Sequence, residues 1–155
     1  MTDFDEKVFI QGDSYIYRVE HRIMEGDCEY DHGPRMVKVP SLLVDKYPVT
    51  NDRFYRFLKE SGYEPRNREN FLRHWEAGRY KEEDRNKPVI WVSHKDAEAF
   101  AQWYGCRLMY DHEWQYVASG KEKLLYPWGN QFQRERCNDS GKEILTEVTA
   151  NPKGQ

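Results

Sequence analysis

Hydrophobic and polar positions alternate in the first part of the chain and predict short strands. Residues 8–12 form an apolar run that ends at a glycine, and residues 36–39 alternate between apolar and polar. Residues 42–44 are apolar again and follow a proline. The stretch between the first two runs, residues 13–35, is mostly polar and predicts irregular structure. The pattern therefore predicts three short strands ahead of the first helix.

The first helix is predicted by its caps as well as by its spacing. Thr50 is a favoured N-cap residue, and an acidic residue follows in the first turn. Phe54 and Phe57 lie three residues apart and share one helix face. Gly62 stands where a left-handed C-cap is expected. The sequence thus predicts a helix between positions 50 and 62 that buries its phenylalanines.

Two further helices and a fourth strand are predicted after position 87. Residues 88–92 form a β-rich run that is typical of a buried strand. Ser93 can cap the next helix, with Asp96 placed for a capping box, and that helix is expected to end at a glycine at position 105. A last helix is predicted over residues 111–119. Its inward face is expected to consist of Trp114, Val117 and Ala118.

The segment between the first helix and this strand, residues 64–87, is dense in charge and carries scattered aromatic residues. It predicts a long surface loop, and long ordered loops are often functional. Aromatic side chains next to arginines are frequent interface anchors, so His74, Trp75 and Tyr80 are candidates for a ligand-binding surface. The alternative is that the aromatic rings pack inward and merely hold a solvated loop in place.

Composition and charge remove several classes of function. The chain has 155 residues with Lys+Arg 24 and Asp+Glu 27, a net charge of -3 that does not indicate a nucleic-acid partner. The aromatic share of 15% is high for a disordered chain and predicts a single globular domain over residues 1–155. No apolar run approaches the roughly 20 residues that a bilayer requires, so no membrane partner is expected. No signal peptide is visible, and the three cysteines lack a C-x-x-C motif. Together these features predict a cytoplasmic location.

Motifs of established chemistry are sparse. The sequence contains no G-x-S-x-G, Walker or G-x-G-x-x-G motif. His94 and Glu98 lie four residues apart on the second predicted helix, and we interpret them as a solvated surface pair because no third ligand is indicated. No catalytic or cofactor-binding residue is therefore predicted from the residues alone.

Six segments, taken in order, resemble the formylglycine-generating enzyme family, also called the sulfatase-modifying factor domain. The resemblance spans nearly the whole chain. The segments are residues 9–12 (FIQG), 43–51 (LVDKYPVTN), 88–93 (PVIWVS), 103–108 (WYGCRL), 113–118 (EWQYVA) and 126–129 (YPWG).

The resemblance implies an α+β fold, a loop-rich variant of the C-type lectin fold with short strands and about three helices. Family members use copper and oxygen to oxidise a cysteine to formylglycine, and relatives use iron. The copper-binding cysteine pair of the family has no counterpart here, which implies an incomplete domain that is not catalytic alone. Copper or iron is expected only if the missing half is supplied. The resemblance also implies a calcium site, for which Asn138 and Asp139 are the matching positions.

Three functions stay open at this point. The first is a formylglycine-generating-enzyme-like domain without activity of its own. The second is a C-type-lectin-like module that binds proteins. The third is one half of a split oxygen-dependent oxidase acting on a protein or small-molecule thiol, completed by another chain. The partners expected are accordingly a protein partner or complementing chain, together with self-association through uncovered apolar surface.

Overall fold

The structure is a computed structural model that describes residues 4–18, 33–138 and 144–151. The described residues divide into two compact units. Unit 1 contains residues 4–6, 46–108, 133–138 and 144–151, and unit 2 contains residues 7–18, 33–45 and 109–132. The elements, in chain order, are β1 (Lys7–Ile10), β2 (Asp13–Tyr17), β3 (Arg35–Val39), β4 (Leu42–Asp45), α1 (Asn51–Ser61), α2 (His94–Trp103) and α3 (Asp111–Ser119), with short 3-10 helices at Glu82–Asp84 and Arg134–Arg136.

The four strands of unit 2 form two antiparallel pairs, β1 with β4 and β2 with β3. Ile10 pairs with Leu42, and Asp13 pairs with Val39, so the same register runs through both pairs. They are two parts of one long hairpin, interrupted where Gly12 passes Pro40. A Cβ at Gly12 would lie 2.4 Å from the Pro40 carbonyl carbon, so only glycine allows this approach.

The core of unit 2 is small and aromatic. Tyr15 and Tyr17 of β2, Val39 of β3 and Tyr116 of α3 are buried together. The Tyr116 hydroxyl donates to the Gln11 carbonyl at 2.9 Å, which ties α3 to the hairpin. The face of α3 that packs on the hairpin is therefore the one carrying Tyr116.

The core of unit 1 is built from rings on two helices and the loop between them. Its buried members are Phe54 and Phe57 of α1, Phe100 of α2, and Leu72, Trp75 and Tyr80 from the loop. The Phe54 ring lies between 5.2 and 6.2 Å, centroid to centroid, from three other phenylalanine rings. The loop over residues 64–87 is thus held to the helices by its aromatic side chains.

The predicted helices and their caps are confirmed. Thr50 accepts a hydrogen bond from the Arg53 amide at 3.2 Å, and Gly62 closes α1 with a φ of 64°. Ser93 and Asp96 form the predicted capping box of α2. The three α-helices and short antiparallel strands of the described residues confirm an α+β, loop-rich fold. The finer assignment to a C-type lectin variant stays a prediction.

Three local expectations are wrong. Residues 13–17 form β2, although this polar stretch predicted irregular structure. Residues 88–92 form no strand, because Trp91 has a φ of 58°, which extended backbone does not permit. On α3, Trp114 is 60% exposed, whereas Glu113 and Tyr116 are buried.

No helix in the described parts of the chain combines the length and the apolar character needed to cross a bilayer.

Candidate functional site

A pocket opens in unit 1 where the loop meets the amino-terminal end of α2. Its volume is about 210 Å³, below the roughly 300 Å³ at which pockets for drug-sized molecules begin. Most of its surface is apolar, which suits one apolar side chain better than a large cofactor. Its lining residues are Asn67, Asn70, Phe71, Trp91, Val92, Ser93 and Asp96.

Trp91 forms one wall of this pocket and holds an uncommon backbone conformation. Its φ of 58° lies in the left-handed region, where a bulky residue costs roughly 1–3 kcal/mol. A neighbouring turn of the loop stabilises this conformation, because the Leu72 amide donates to the Trp91 carbonyl at 2.8 Å. Leu72 itself has a φ of 49°. The backbone thus holds a large ring at the surface, where 42% of the residue is exposed.

Arg73 covers one face of the Trp91 indole. The guanidinium carbon lies 3.2 Å from the ring centroid, which is close contact for a cation–π pair. A guanidinium that lies flat on a ring keeps its N–H groups pointing outward in its own plane. Arg73 therefore places a positive charge with available donors beside Trp91, which lines the pocket.

Asp96 is buried in the pocket wall, and neighbouring groups already use both of its oxygens. Oδ2 accepts from the Ser93 amide and Oδ1 accepts from the Tyr63 hydroxyl, each at 2.7 Å. Burial, and then this hydrogen bond to Asp96, raise the pKa of Tyr63 to about 12. Asp96 is thus a structural carboxylate that orders the wall.

The three loop residues predicted as a ligand surface lie instead against the first turn of α1. Asn51 Oδ1 accepts from Trp75 Nε1 at 2.9 Å and lies 3.1 Å from His74 Nε2. Tyr80 donates to Asp52 Oδ1 at 2.6 Å. Burial, followed by the hydrogen bond to Asp52, raises the pKa of Tyr80 to about 12. These contacts explain how the loop is fixed.

The expectation that Trp75 and Tyr80 offer an exposed aromatic surface is therefore corrected. Their exposed fractions are 8% and 5%, and both rings belong to the core of unit 1. The reason is that each ring carries a polar group that donates to a side chain in the first turn of α1, Asn51 for Trp75 and Asp52 for Tyr80. His74 is partly buried beside them. The alternative interpretation, that the aromatic residues hold the loop in place, matches the structure.

His74 is held in its neutral form. The Asn51 amide nitrogen donates to the carbonyls of Asp84 and Lys87, which fixes its oxygen toward His74, so Nε2 of the imidazole carries the proton. Nδ1 is buried and has no hydrogen-bond partner among the described residues. Burial lowers the pKa of His74 below its ordinary value of 6.5, partly offset by the charge of Asp84.

This environment predicts a loss of stability on acidification. Below pH 6.5 the unfolded chain takes up a proton at position 74 that the folded chain does not, so the free energy of unfolding falls as the pH falls. We expect His74→Gln, which keeps a donor toward Asn51, to reduce the slope of stability against pH between pH 7 and 5. Thermal melts across this range measure the slope. His94→Gln, at an exposed histidine, is the control and should keep it, and an unchanged slope in His74→Gln would contradict the assignment.

The described residues provide no fitting site for the predicted calcium ion. Asn138 is exposed, and its amide nitrogen donates to the Ile144 carbonyl at 2.9 Å; Asp139 lies outside the described residues. Calcium takes six to eight oxygen ligands. The described residues contain no group of three or more His, Cys, Asp or Glu side chains placed to hold a metal ion. Calcium binding at Asn138 and Asp139 stays a prediction.

The structure describes two of the three cysteines, and both lie in unit 1. Cys106 follows α2 and is exposed, and Cys137 lies at the end of the second 3-10 helix; neither forms a disulfide. The Cys137 thiol lies 3.8 Å from the Arg134 carbonyl. Cys28 lies outside the described residues.

Sequence reasoning missed the pocket at Trp91. The run over residues 88–92 was interpreted as a strand, which would place Trp91 in a sheet. The only signal in the sequence is a bulky aromatic residue, Trp91, two positions before the capping residue Ser93. Nothing local in that signal specifies a left-handed φ.

Comparisons with known proteins find the family that the sequence motifs resemble. Residues 1–150 match the family model described as the Sulfatase-modifying factor enzyme 1-like domain. The uncharacterized protein YfmG of Bacillus subtilis is 30% identical, over 96% of this chain and 32% of its own length. The inactive C-alpha-formylglycine-generating enzyme 2 of Mus musculus is 33% identical, over 68% of this chain and 46% of its own length. The formylglycine-generating enzyme of Thermomonospora curvata is 32% identical, over 71% of this chain and 49% of its own length. The chain thus spans between a third and a half of these relatives.

Proposed function

Because this chain belongs to the sulfatase-modifying factor (formylglycine-generating enzyme-like) family, we propose that it is a polypeptide-binding domain of that family. We further propose that it does not oxidise cysteine without a complementing chain. The observation that carries the binding role is the Trp91 pocket of unit 1.

Two features of the pocket support this role. Exposed tryptophans with an adjacent cavity are common anchors of protein interfaces, and a volume of about 210 Å³ suits one inserted side chain. The left-handed backbone of Trp91 costs free energy, and such strain concentrates at functional sites. The geometry is thus typical of an anchor pocket that takes a side chain from an extended partner.

Binding can be tested with an immobilised array of random dodecapeptides. We expect the purified chain to bind a subset that carries a large apolar residue. Trp91→Gly should abolish that binding. Glycine adopts a φ near 58° without strain, so this variant removes the ring without disturbing the fold. Trp114→Ala, at an exposed tryptophan of unit 2, is the matched control and should bind as the unchanged chain does. Equal binding by Trp91→Gly, or no binding to any peptide, would overturn the proposal.

The catalytic half of the proposal needs a separate assay. The chain is incubated with copper, oxygen and a peptide of the Cys-x-Pro-x-Arg type, and the products are followed by mass spectrometry. We expect no aldehyde product from this chain alone. Formation of the aldehyde would overturn this half of the proposal and favour an oxidase.

A cytoplasmic location is part of the same proposal. It is supported by the sequence, whose three cysteines are widely spaced and form no C-x-x-C motif, as suits a reducing compartment.

A further inference from the structure

We propose that the Trp91 pocket selects a peptide in which a large apolar residue is followed by an aspartate or glutamate. The apolar side chain fills the pocket, and the carboxylate pairs with Arg73 beside Trp91. This inference rests on the proposed function and specifies the ligand of that same site.

The charges of the loop single out Arg73. Most basic residues of the loop over residues 64–87 face a carboxylate of this chain. These pairs are Arg68 with Glu64, Arg79 with Glu82, Lys81 with Glu76, Arg85 with Asp52, and Lys87 with Asp84. Arg73 and Arg66 form no ion pair among the residues that the structure describes. Arg66 precedes Asn67 in the sequence, and the Arg73 amide donates to the Asn70 carbonyl at 3.4 Å. The positive charge of Arg73, which no carboxylate of the described residues pairs, therefore lies next to the Trp91 wall of the pocket.

Arg73 is also oriented for a carboxylate. Stacking on the Trp91 ring fixes the plane of the guanidinium at a distance of 3.2 Å and leaves its edge open. A guanidinium edge binds a carboxylate through two parallel hydrogen bonds, and prior orientation reduces the entropy lost on binding. An ion pair on an ordered arginine of this kind contributes more than an ordinary surface pair.

The interior of the pocket favours a neutral apolar group. Phe71, Val92 and Trp91 supply apolar surface. Asp96, the carboxylate of the wall, is buried, and both of its oxygens already accept hydrogen bonds. Each of its oxygens is already engaged by a neighbouring group of this chain, and its charge disfavours an acidic side chain in the pocket. A ligand that fits both the apolar interior and the Arg73 guanidinium places its apolar group inside the pocket and its carboxylate next to Arg73.

The rim also provides polar groups for a peptide backbone. Asn67 and Asn70 are exposed and line the pocket. An asparagine amide both donates and accepts, so it can pair with the N–H and C=O groups of an extended segment. A polypeptide therefore matches the set of groups around this pocket.

The experiment uses three blocked hexapeptides that differ at two central positions within glycines. The central pairs are Phe-Asp, Phe-Lys and Ala-Asp. Dissociation constants are measured by NMR titration of the Trp91 indole N–H, assigned by its absence in Trp91→Gly. We expect Phe-Asp to bind about tenfold more tightly than Phe-Lys, and Ala-Asp not to bind measurably. High salt should reduce the ratio between Phe-Asp and Phe-Lys.

Variants of two loop arginines distinguish the effect of the Arg73 charge from the effect of its packing on the Trp91 ring. Arg73→Gln keeps a flat polar group on the Trp91 ring but removes the charge, so the two phenylalanine peptides should bind within about twofold of each other. Arg68→Gln removes an arginine that Glu64 already pairs, and it should keep the tenfold preference.

The outcomes distinguish this inference from the function on which it rests. If Phe-Asp and Phe-Lys bind equally to the unchanged chain and both lose affinity in Trp91→Gly, the binding function stands and the acidic preference is overturned. If Arg73→Gln keeps the preference, the role of Arg73 is overturned. If no peptide binds, on the array or in solution, the proposed function itself fails.

Discussion

Asn51→Ala is expected to destabilise the chain by roughly 3–4 kcal/mol, because one buried amide satisfies four partners at once. Its oxygen accepts hydrogen bonds from Trp75 Nε1 and His74 Nε2. Its nitrogen donates to two backbone carbonyls of the loop, those of Asp84 and Lys87. The four distances lie between 2.8 and 3.3 Å. Alanine leaves the Trp75 and His74 N–H groups without this acceptor. It also removes one of two hydrogen bonds from the Asp84 and Lys87 carbonyls, which still accept the backbone amides of Lys87 and residue 51. Each unsatisfied buried group costs about 1–3 kcal/mol, and partial relaxation reduces the sum.

Urea denaturation of the full chain measures this loss. Asn70→Ala, at an exposed asparagine of the same loop, is the matched control and should change stability by less than about 0.5 kcal/mol. Asn51→Asp preserves the volume but replaces the donor with a charged acceptor facing the carbonyls of Asp84 and Lys87, and it should also destabilise strongly. A loss below about 1 kcal/mol in both Asn51 variants would show that the amide does not hold the loop.

Loss of the Asn51 hydrogen bonds is also expected to disturb the candidate site. Asn51 fixes Trp75, whose amide in turn donates to the Leu72 carbonyl at 2.8 Å. Leu72 is the residue whose own amide holds Trp91 in its left-handed conformation. A single hydrogen-bonding path therefore joins the first turn of α1 to the wall of the pocket.

The parts of the fold that were predictable from the sequence are those that short-range chemistry determines. The Thr50 cap, the Gly62 cap and the Ser93–Asp96 capping box each depend on a few neighbouring residues. Local hydrogen bonds of this kind leave a direct signature in the order of residue types. The family resemblance depended on the same local segments.

The parts that were not predictable depend on contacts between distant segments. Trp91 adopts its conformation because the Leu72 amide, nineteen positions away in the chain, reaches its carbonyl. On α3, hydropathy pointed to Trp114 as an inner residue, yet Glu113 is buried instead because its carboxylate accepts the Tyr110 amide at 2.9 Å. A pattern that counts glutamate as polar and tryptophan as apolar assigns this helix face wrongly.

The same argument applies to the loop aromatics. Exposure of Trp75 and Tyr80 was inferred from their charged neighbours, and the neighbours are indeed exposed. The rings themselves are buried because Asn51 and Asp52 present acceptors to the indole N–H and the phenol. Only the position of α1 relative to the loop within unit 1 reveals these acceptors.

Phe54→Ala is expected to cost roughly 3–5 kcal/mol, which is a large part of the stability of a domain of this size. Phe54 is 1% exposed, and its ring stacks on Phe100 at 5.7 Å and meets Phe57 and Phe71 edge-on or tilted. Alanine leaves a cavity among these rings, and the surrounding structure relaxes into it only in part. Phe54→Leu retains most of the volume and should cost less than about 2 kcal/mol. Urea denaturation measures both losses.

Phe9→Ala is the matched control for this truncation, because Phe9 is 63% exposed on β1 and the variant should lose less than about 1 kcal/mol of stability.

The Phe54→Ala truncation also predicts a functional effect, since Phe71 both contacts Phe54 and lines the Trp91 pocket. With the cavity beneath it, the Phe71 ring can sink inward and widen the pocket, so affinity for the Phe-Asp peptide should fall even at temperatures where Phe54→Ala is folded. Unchanged affinity in a folded Phe54→Ala chain would mean that the pocket is shaped by the Trp91 segment alone and does not depend on the core beneath it.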